Sequence, residues 1–187
     1  VVRTTSDIEY NNWLMKEFSE WITKRGMCES IFYDKRTEKD YYSCRFRTIC
    51  HKAFQELFQR WYPNGVKRVP EDIQLTPLTM AIWFADDGSV RNTDLYSLDL
   101  KLAVQGFSKD DADMLKSKLE AAIKEEFRIY LDNDQPTIRG FTKTSQAFLQ
   151  IIDPHFPPLS RKSDIWRRDD FRLMKGKPPK PDCPRCN

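Results

Sequence analysis

The stretch LTPLTMAIWFADDGSV, residues 75–90, decides the fold. Thr76 is a natural N-cap, Pro77 suits the first helical position, and the residues that follow are almost all apolar up to Ala85. The spacing predicts a helix over 76–87 that is apolar on every side and ends on two carboxylates, Asp86 and Asp87, before Gly88. A helix apolar all round is a buried one. Its acids are the anomaly, because a helix C-terminus already carries partial negative charge and a carboxylate there costs roughly a few tenths of a kcal/mol.

Outward from this helix, the chain alternates helical and hairpin patterns. SDIEYNNWLMKEFSEWI (6–22) is helical, with Ser6 or Asp7 as cap, a stripe of Ile8, Trp13, Leu14, Phe18, Trp21 and Ile22, and Gly26 as the stop. SIFYDKRTEKDYYSCRFRTIC (30–50) reads as a hairpin, HKAFQELFQRWY (51–62) as a helix and PNGVKRVP (63–70) as a break. After Gly88, LKLAVQGF (100–107) suits a strand. SKDDADMLKSKLEAAIKEEF (108–127) is a helix opened by a capping-box pattern at Ser108 and Asp111. RIYLDNDQPTIRGFT (128–142) is a second hairpin, and TSQAFLQIIDPHF (144–156) a closing helix. Residues 6–62 thus repeat the last three elements of residues 75–156, an internal repeat whose first copy is incomplete. The order implies an α+β fold of helices on antiparallel sheets.

Composition excludes several classes. The 187 residues are 40% hydrophobic and 32% charged, ordinary for a soluble globular chain. No apolar run reaches the roughly 20 residues of a membrane span, and no secretory signal is visible. The chain opens Val-Val-Arg without an initiator methionine, so it reads as processed or as a piece of something longer. Five cysteines at irregular spacing fit a reducing compartment rather than a disulfide framework. Cys183 and Cys186 have zinc-knuckle spacing without a second pair, and the expectation is a frayed tail without zinc. Net charge is +3, yet residues 161–180 alone carry +5, leaving −2 for the rest. That segment, including Arg161, Arg167 and Arg168, reads as a basic arm able to neutralise phosphates.

Taken together, LTPLTMAIWFADDGS, YPNGVKRVPEDI (62–73), GFSKDDADMLKSKLEAAIKEEF (106–127) and FLQIIDPHFPPLSRK (148–162) resemble the LAGLIDADG homing endonucleases of the single-chain, two-repeat type. The resemblance implies pseudo-symmetric helix/antiparallel-hairpin half-domains: an incomplete first half at 1–66, a second half at 67–160 with the signature helix at 76–87, and the arm at 161–187. It implies that two signature helices pack together, which Ala81 and Ala85 would permit by close approach, and that the flank of Leu78, Ile82 and Ala85 awaits a partner. Asp87 then matches the family's metal-binding acid and Asp86 its less essential neighbour, with Mg²⁺ as the metal. Lys67 and Lys162 match basic residues flanking the active site. Arg45, Arg47, Lys101, Gln105, Arg128, Tyr130, Arg139 and Lys143 take positions facing a nucleic-acid groove, Arg and Gln being suited to purine edges.

The first signature helix, its acid and its hairpin have no match in this chain, which therefore supplies half of a metal site. Two readings of different class follow: a Mg²⁺-dependent, site-specific endonuclease of double-stranded DNA, completed by a second signature helix, or a non-catalytic binder of structured RNA, as a splicing maturase or organellar ribosomal component. In either, a second polypeptide or large assembly covers the signature helix. The resemblance places the protein in an organelle, the mitochondrion ahead of the chloroplast.

Overall fold

The computed structural model describes residues 2–4, 7–94 and 97–167. In chain order these form β1 (Val2–Thr4), α1 (Ile8–Glu17), β2 (Cys28–Asp34), β3 (Lys39–Arg45), α2 (Lys52–Trp61), α3 (Pro77–Asp87), β4 (Gly88–Asp94), β5 (Ser97–Ala103), α4 (Lys109–Ile123), β6 (Arg128–Asp132), β7 (Gln135–Phe141), α5 (Thr142–Ile152) and α6 (Ser160–Arg167). Two compact units divide the chain. The smaller comprises residues 1–66 with 157–159, the larger 67–156 with 160–187. No helix among the described residues is long and apolar enough to cross a membrane.

The larger unit is an antiparallel sheet in the order β4-β5-β7-β6, with α3, α4 and α5 packed on it. Strand alternation turns Leu98, Leu100, Leu102 and Ile138 into the core. Phe84 of α3 is fully buried there, its ring 5.8 Å from that of Phe148, 6.0 Å from Phe156 and 5.6 Å from Trp166. α4 opens as its sequence predicts: the Ser108 hydroxyl accepts from the Asp111 N–H at 3.1 Å while the Asp111 carboxylate accepts from Ser108. Trp166 belongs to α6, so the basic segment begins inside the fold. Residues 168–187, with Arg168, Cys183 and Cys186, lie outside the described residues.

The smaller unit is a three-stranded sheet, β1-β3-β2. Its hairpin follows the sequence reading, but β1 is an added element. Its strand order β1-β3-β2, with the hairpin set between two helices, repeats the β5-β7-β6 part of the larger unit. β1 is thus the counterpart of β5, so the first half retains one strand of the hairpin that the sequence reading takes as wholly absent. α1 also departs from its predicted stripe. It stops at Glu17, and its buried face is Asp7, Tyr10, Asn11 and Leu14, while Ile8, Trp13 and Ile22 are half-buried and Phe18 is exposed. The reason is local: the Asn11 amide donates to the Cys44 carbonyl at 3.0 Å, so a polar residue occupies the core side. α2 buries none of its residues, although Leu57 and Phe58 are apolar and well exposed.

Candidate functional site

α3 delivers its two acids to an exposed edge of the larger unit. Thr76 caps the helix by accepting from the Thr79 N–H at 3.1 Å. Met80, Ala81, Phe84 and Ala85 are buried, Ile82 is half-buried, and Asp86 and Asp87 are exposed. Ala81 and Ala85 are therefore covered already, and of the predicted open flank it is Leu78 that is exposed. Gly88 extends the backbone into β4 at φ −90°, a conformation open to any residue. Its requirement is space, since a Cβ there would fall 2.2 Å from the Phe84 ring. The residue after the acids is glycine because the core ring lies directly against the chain.

The strain of placing acids at a helix C-terminus is relieved within the fold. Lys162 of α6 directs its ammonium at the helix end, donating to the carbonyls of Phe84 (2.9 Å), Ala85 (2.7 Å) and Gly88 (2.7 Å). A cation there satisfies carbonyls the helix leaves open and offsets its dipole. Lys162 thus positions the acids by holding the turn that carries them.

Lys67 and Gln105 come to the same end of the sheet. Gly88 pairs with Leu102, and the Trp83 indole donates to the Ala103 carbonyl at 3.4 Å, so the turn following β5 runs beside the end of α3. Gln105 is exposed in that turn, and the Lys67 ammonium stands 4.0 Å over the Phe107 ring. The segment bearing Lys67 is stapled to α4 by Asp111, whose carboxylate accepts from the Val69 N–H at 3.3 Å and pairs with Arg68 at 3.0 Å. Burial raises the Asp111 pKa, but the Ser108 hydroxyl, the Val69 amide and Arg68 outweigh it and hold the carboxyl below its ordinary value.

The sheet face opposite the helices collects four of the eight predicted groove-facing residues. Lys101, Arg139 and Arg128 form one rung across β5, β7 and β6, and Tyr130 follows on the same face. Each cation has a carboxylate. Lys101 pairs with Asp132, Arg139 with Asp99 at 3.7 Å and Arg128 with Glu126 at 3.3 Å. Beyond β7, Lys143 pairs with Glu125 at 2.9 Å. Hydrogen bonding from Lys101 holds the Asp132 carboxyl below its usual range, and hydrogen bonding with Tyr130 pushes Arg128 up. The Arg139 guanidinium also stacks 5.2 Å over Tyr130. Arg167 lies on α6, bound to Asp153 at 2.7 Å, and Arg161 shares that helix. Arg45 and Arg47 belong to the smaller unit. The sequence reading missed the four balancing carboxylates; three of the pairings depend on strand register and long-range packing, while Glu126 stands only two residues from Arg128.

Among the described residues, no group of three or more His, Cys, Asp or Glu stands ready to hold a metal ion. Asp86 and Asp87 alone suit Mg²⁺ only in part, since that ion completes its shell with water and phosphate oxygens around one or two protein carboxylates.

A helix apolar enough to be buried, acids at its exposed end and a polar antiparallel sheet beside them recur together in one class of protein. Residues 3–148 match the model of the LAGLIDADG DNA endonuclease family, and the chain belongs to that family. It is 33% identical over 130 residues to an uncharacterized protein, MJ1098, of Methanocaldococcus jannaschii, covering 68% of this chain and 50% of that one. It is 36% identical over 118 residues to the cytochrome b mRNA maturase bI2 of Debaryomyces hansenii, covering 61% and 43%. With a probable intron-encoded endonuclease 1 of Wickerhamomyces canadensis it shares 29% identity over 119 residues, covering 61% and 52%. The chain therefore spans about half the length of these relatives. The fold matches that of the homing endonuclease I-WcaI, solved bound to its DNA recognition sequence, with a TM-score of 0.75 at 21% identity over 87% of this chain and 73% of that one.

Proposed function

We propose that this chain carries the DNA-reading sheet and one catalytic acid of a LAGLIDADG homing endonuclease. The observation that carries the reading is Asp87, exposed at the foot of the buried helix α3 and directly before strand β4 of the sheet that bears the polar face. In this reading Asp87 is the protein's ligand to a divalent cation, with Asp86 as an auxiliary carboxylate. Held by Asp87 with Asp86, a Mg²⁺ ion would supply Lewis-acid activation of water and charge stabilisation at the leaving oxygen of a phosphodiester. The protein's own part is positional. Lys162 fixes the helix end, Gln105 and Lys67 flank it, and Lys101, Arg128, Tyr130 and Arg139 present donors and a ring to base edges. Cutting both strands takes a second acid, contributed by another signature helix in the full assembly. An organellar, mitochondrial setting goes with this reading.

The similarity to an mRNA maturase favours a second reading, in which the same surface serves intron RNA without cleavage. One experiment separates the two: nicking of a supercoiled DNA library in Mg²⁺ by the 187-residue chain and by Asp87→Asn. Nicking that disappears in the variant is expected. Retention of a structured intron RNA, with no nicking in any divalent ion, overturns the enzyme reading in favour of the second.

A further inference from the structure

Lys101, Arg128 and Arg139 on the larger unit's sheet are balanced in advance, in contrast to three arginines gathered in the smaller unit. Arg25, Arg45 and Arg47 line one crevice together with Thr23, Gly26, Cys28 and Phe46. The backbone brings them there. Arg45 ends β3, and the Thr23 N–H donates to the Arg47 carbonyl at 3.0 Å. The Gly26 N–H then closes a turn on the Thr23 carbonyl at 3.0 Å, with Gly26 at φ +64° and Arg25 inside the turn. Among the described residues, none of the three guanidinium groups has a carboxylate or hydrogen-bond partner. Arg45 lies on the central strand of its sheet, as Arg139 does on a central strand of the larger one, where Asp99 meets its charge.

Three uncompensated positive charges around one recess repel one another until an anion enters. Guanidinium forks match the oxygens of a phosphate, singly or two at a time. We propose that this crevice seats one backbone phosphate of a nucleic acid, forming the sequence-independent anchor of the smaller unit. The inference rests on the nucleic-acid reading above, and it moves Arg45 and Arg47 from base edges to the backbone, where contacts fix register without reading sequence.

Cys28 lines the crevice and reports on its occupancy, while the exposed Cys50 serves as the reference thiol. Iodoacetamide labelling of both, resolved by peptide mass, is followed with a mixed-sequence 30-base-pair duplex, with a structured RNA of similar length, and with inorganic phosphate alone. In parallel, duplex affinity is measured against salt for the native chain, Arg45→Gln and Arg25→Gln. All three arginines are exposed, so circular dichroism of the variants should match the native chain. The proposal expects duplex or RNA to slow labelling of Cys28 several-fold and leave Cys50 unchanged. It expects each variant to weaken binding evenly across sequences, and the slope of log affinity against log salt to fall by a part of the value of about 0.9 that belongs to one phosphate contact. Protection by nucleic acid without protection by inorganic phosphate also supports it. Binding with unchanged Cys28 labelling and unchanged slopes overturns the crevice and leaves the nucleic-acid reading standing. Protection by inorganic phosphate with no binding of duplex or RNA marks a free-anion site and overturns both.

Discussion

Lys162 shows how a residue's type can be legible while its task is not. Its place beside the acids follows from a family pattern, but its ammonium is engaged with the last carbonyls of α3, 74 to 78 residues away in sequence. No local pattern contains that contact. Replacing it with methionine keeps the length of the side chain and leaves carbonyls of a part-buried helix end without their donor. Hydrogen bonds involving a charged partner are worth about 1.5–3 kcal/mol. Lys162→Met is therefore expected to lose about that much in urea unfolding and to speed amide exchange around residues 86–88. A stability unchanged within error would show that water replaces the ammonium at no cost.

At the scale of elements, what the sequence made legible was local. The cap of α3, the capping box of α4 and both hairpins stand where Thr76, Ser108, Asp111 and the aromatic runs place them. β1 was missed because three residues give no period. The face of α1 was missed because an asparagine sits where an apolar residue was expected. Asp111 adds a tertiary role to its cap by tying residues 68–69 to α4. Its carboxyl titrates lower in the folded chain than in the unfolded one, so the unfolded state binds the proton more readily. That contribution to stability is whole above the ordinary aspartate range and is lost as pH falls through the lowered value. Urea midpoints measured from neutral pH down into the acid range should fall for the native chain. Asp111→Asn should start lower and fall less steeply. Parallel curves would assign the acid loss to other carboxylates.

The whole molecule distributes its core unevenly. In the smaller unit the buried apolar side chains among residues 7–66 are Tyr10, Leu14, Cys44 and Phe46, and α2 contributes none. The larger unit buries one face of each of three helices and the inner face of a four-stranded sheet. Local opening is easiest where few apolar contacts resist it. Native-state hydrogen exchange is therefore expected to release the amides of α2 and of β2–β3 well before those of β5 and β7. Equal protection in both sheets would mean that the two units open as one. α5 is the counterpart of α2 in the repeat, and α3 packs against it. Among the described residues the smaller unit has no helix equivalent to α3, which is why a sequence with a clear apolar face on α2 leaves that face uncovered.

The paired charges on the larger unit's sheet bear on kinetics as well as on contact. To meet a phosphate or a base, Lys101 and Arg139 must first part from Asp132 and Asp99, at the wrong sequence as at the right one. Random sequence returns little for that separation, whereas a matching run of base edges restores a partner to each group released. Under the proposed function, such a face would shorten the dwell time on mismatched stretches and lengthen it on a cognate one. On that reading these aspartates act as brakes on promiscuity, and a long genome can be sampled without the protein stalling along it.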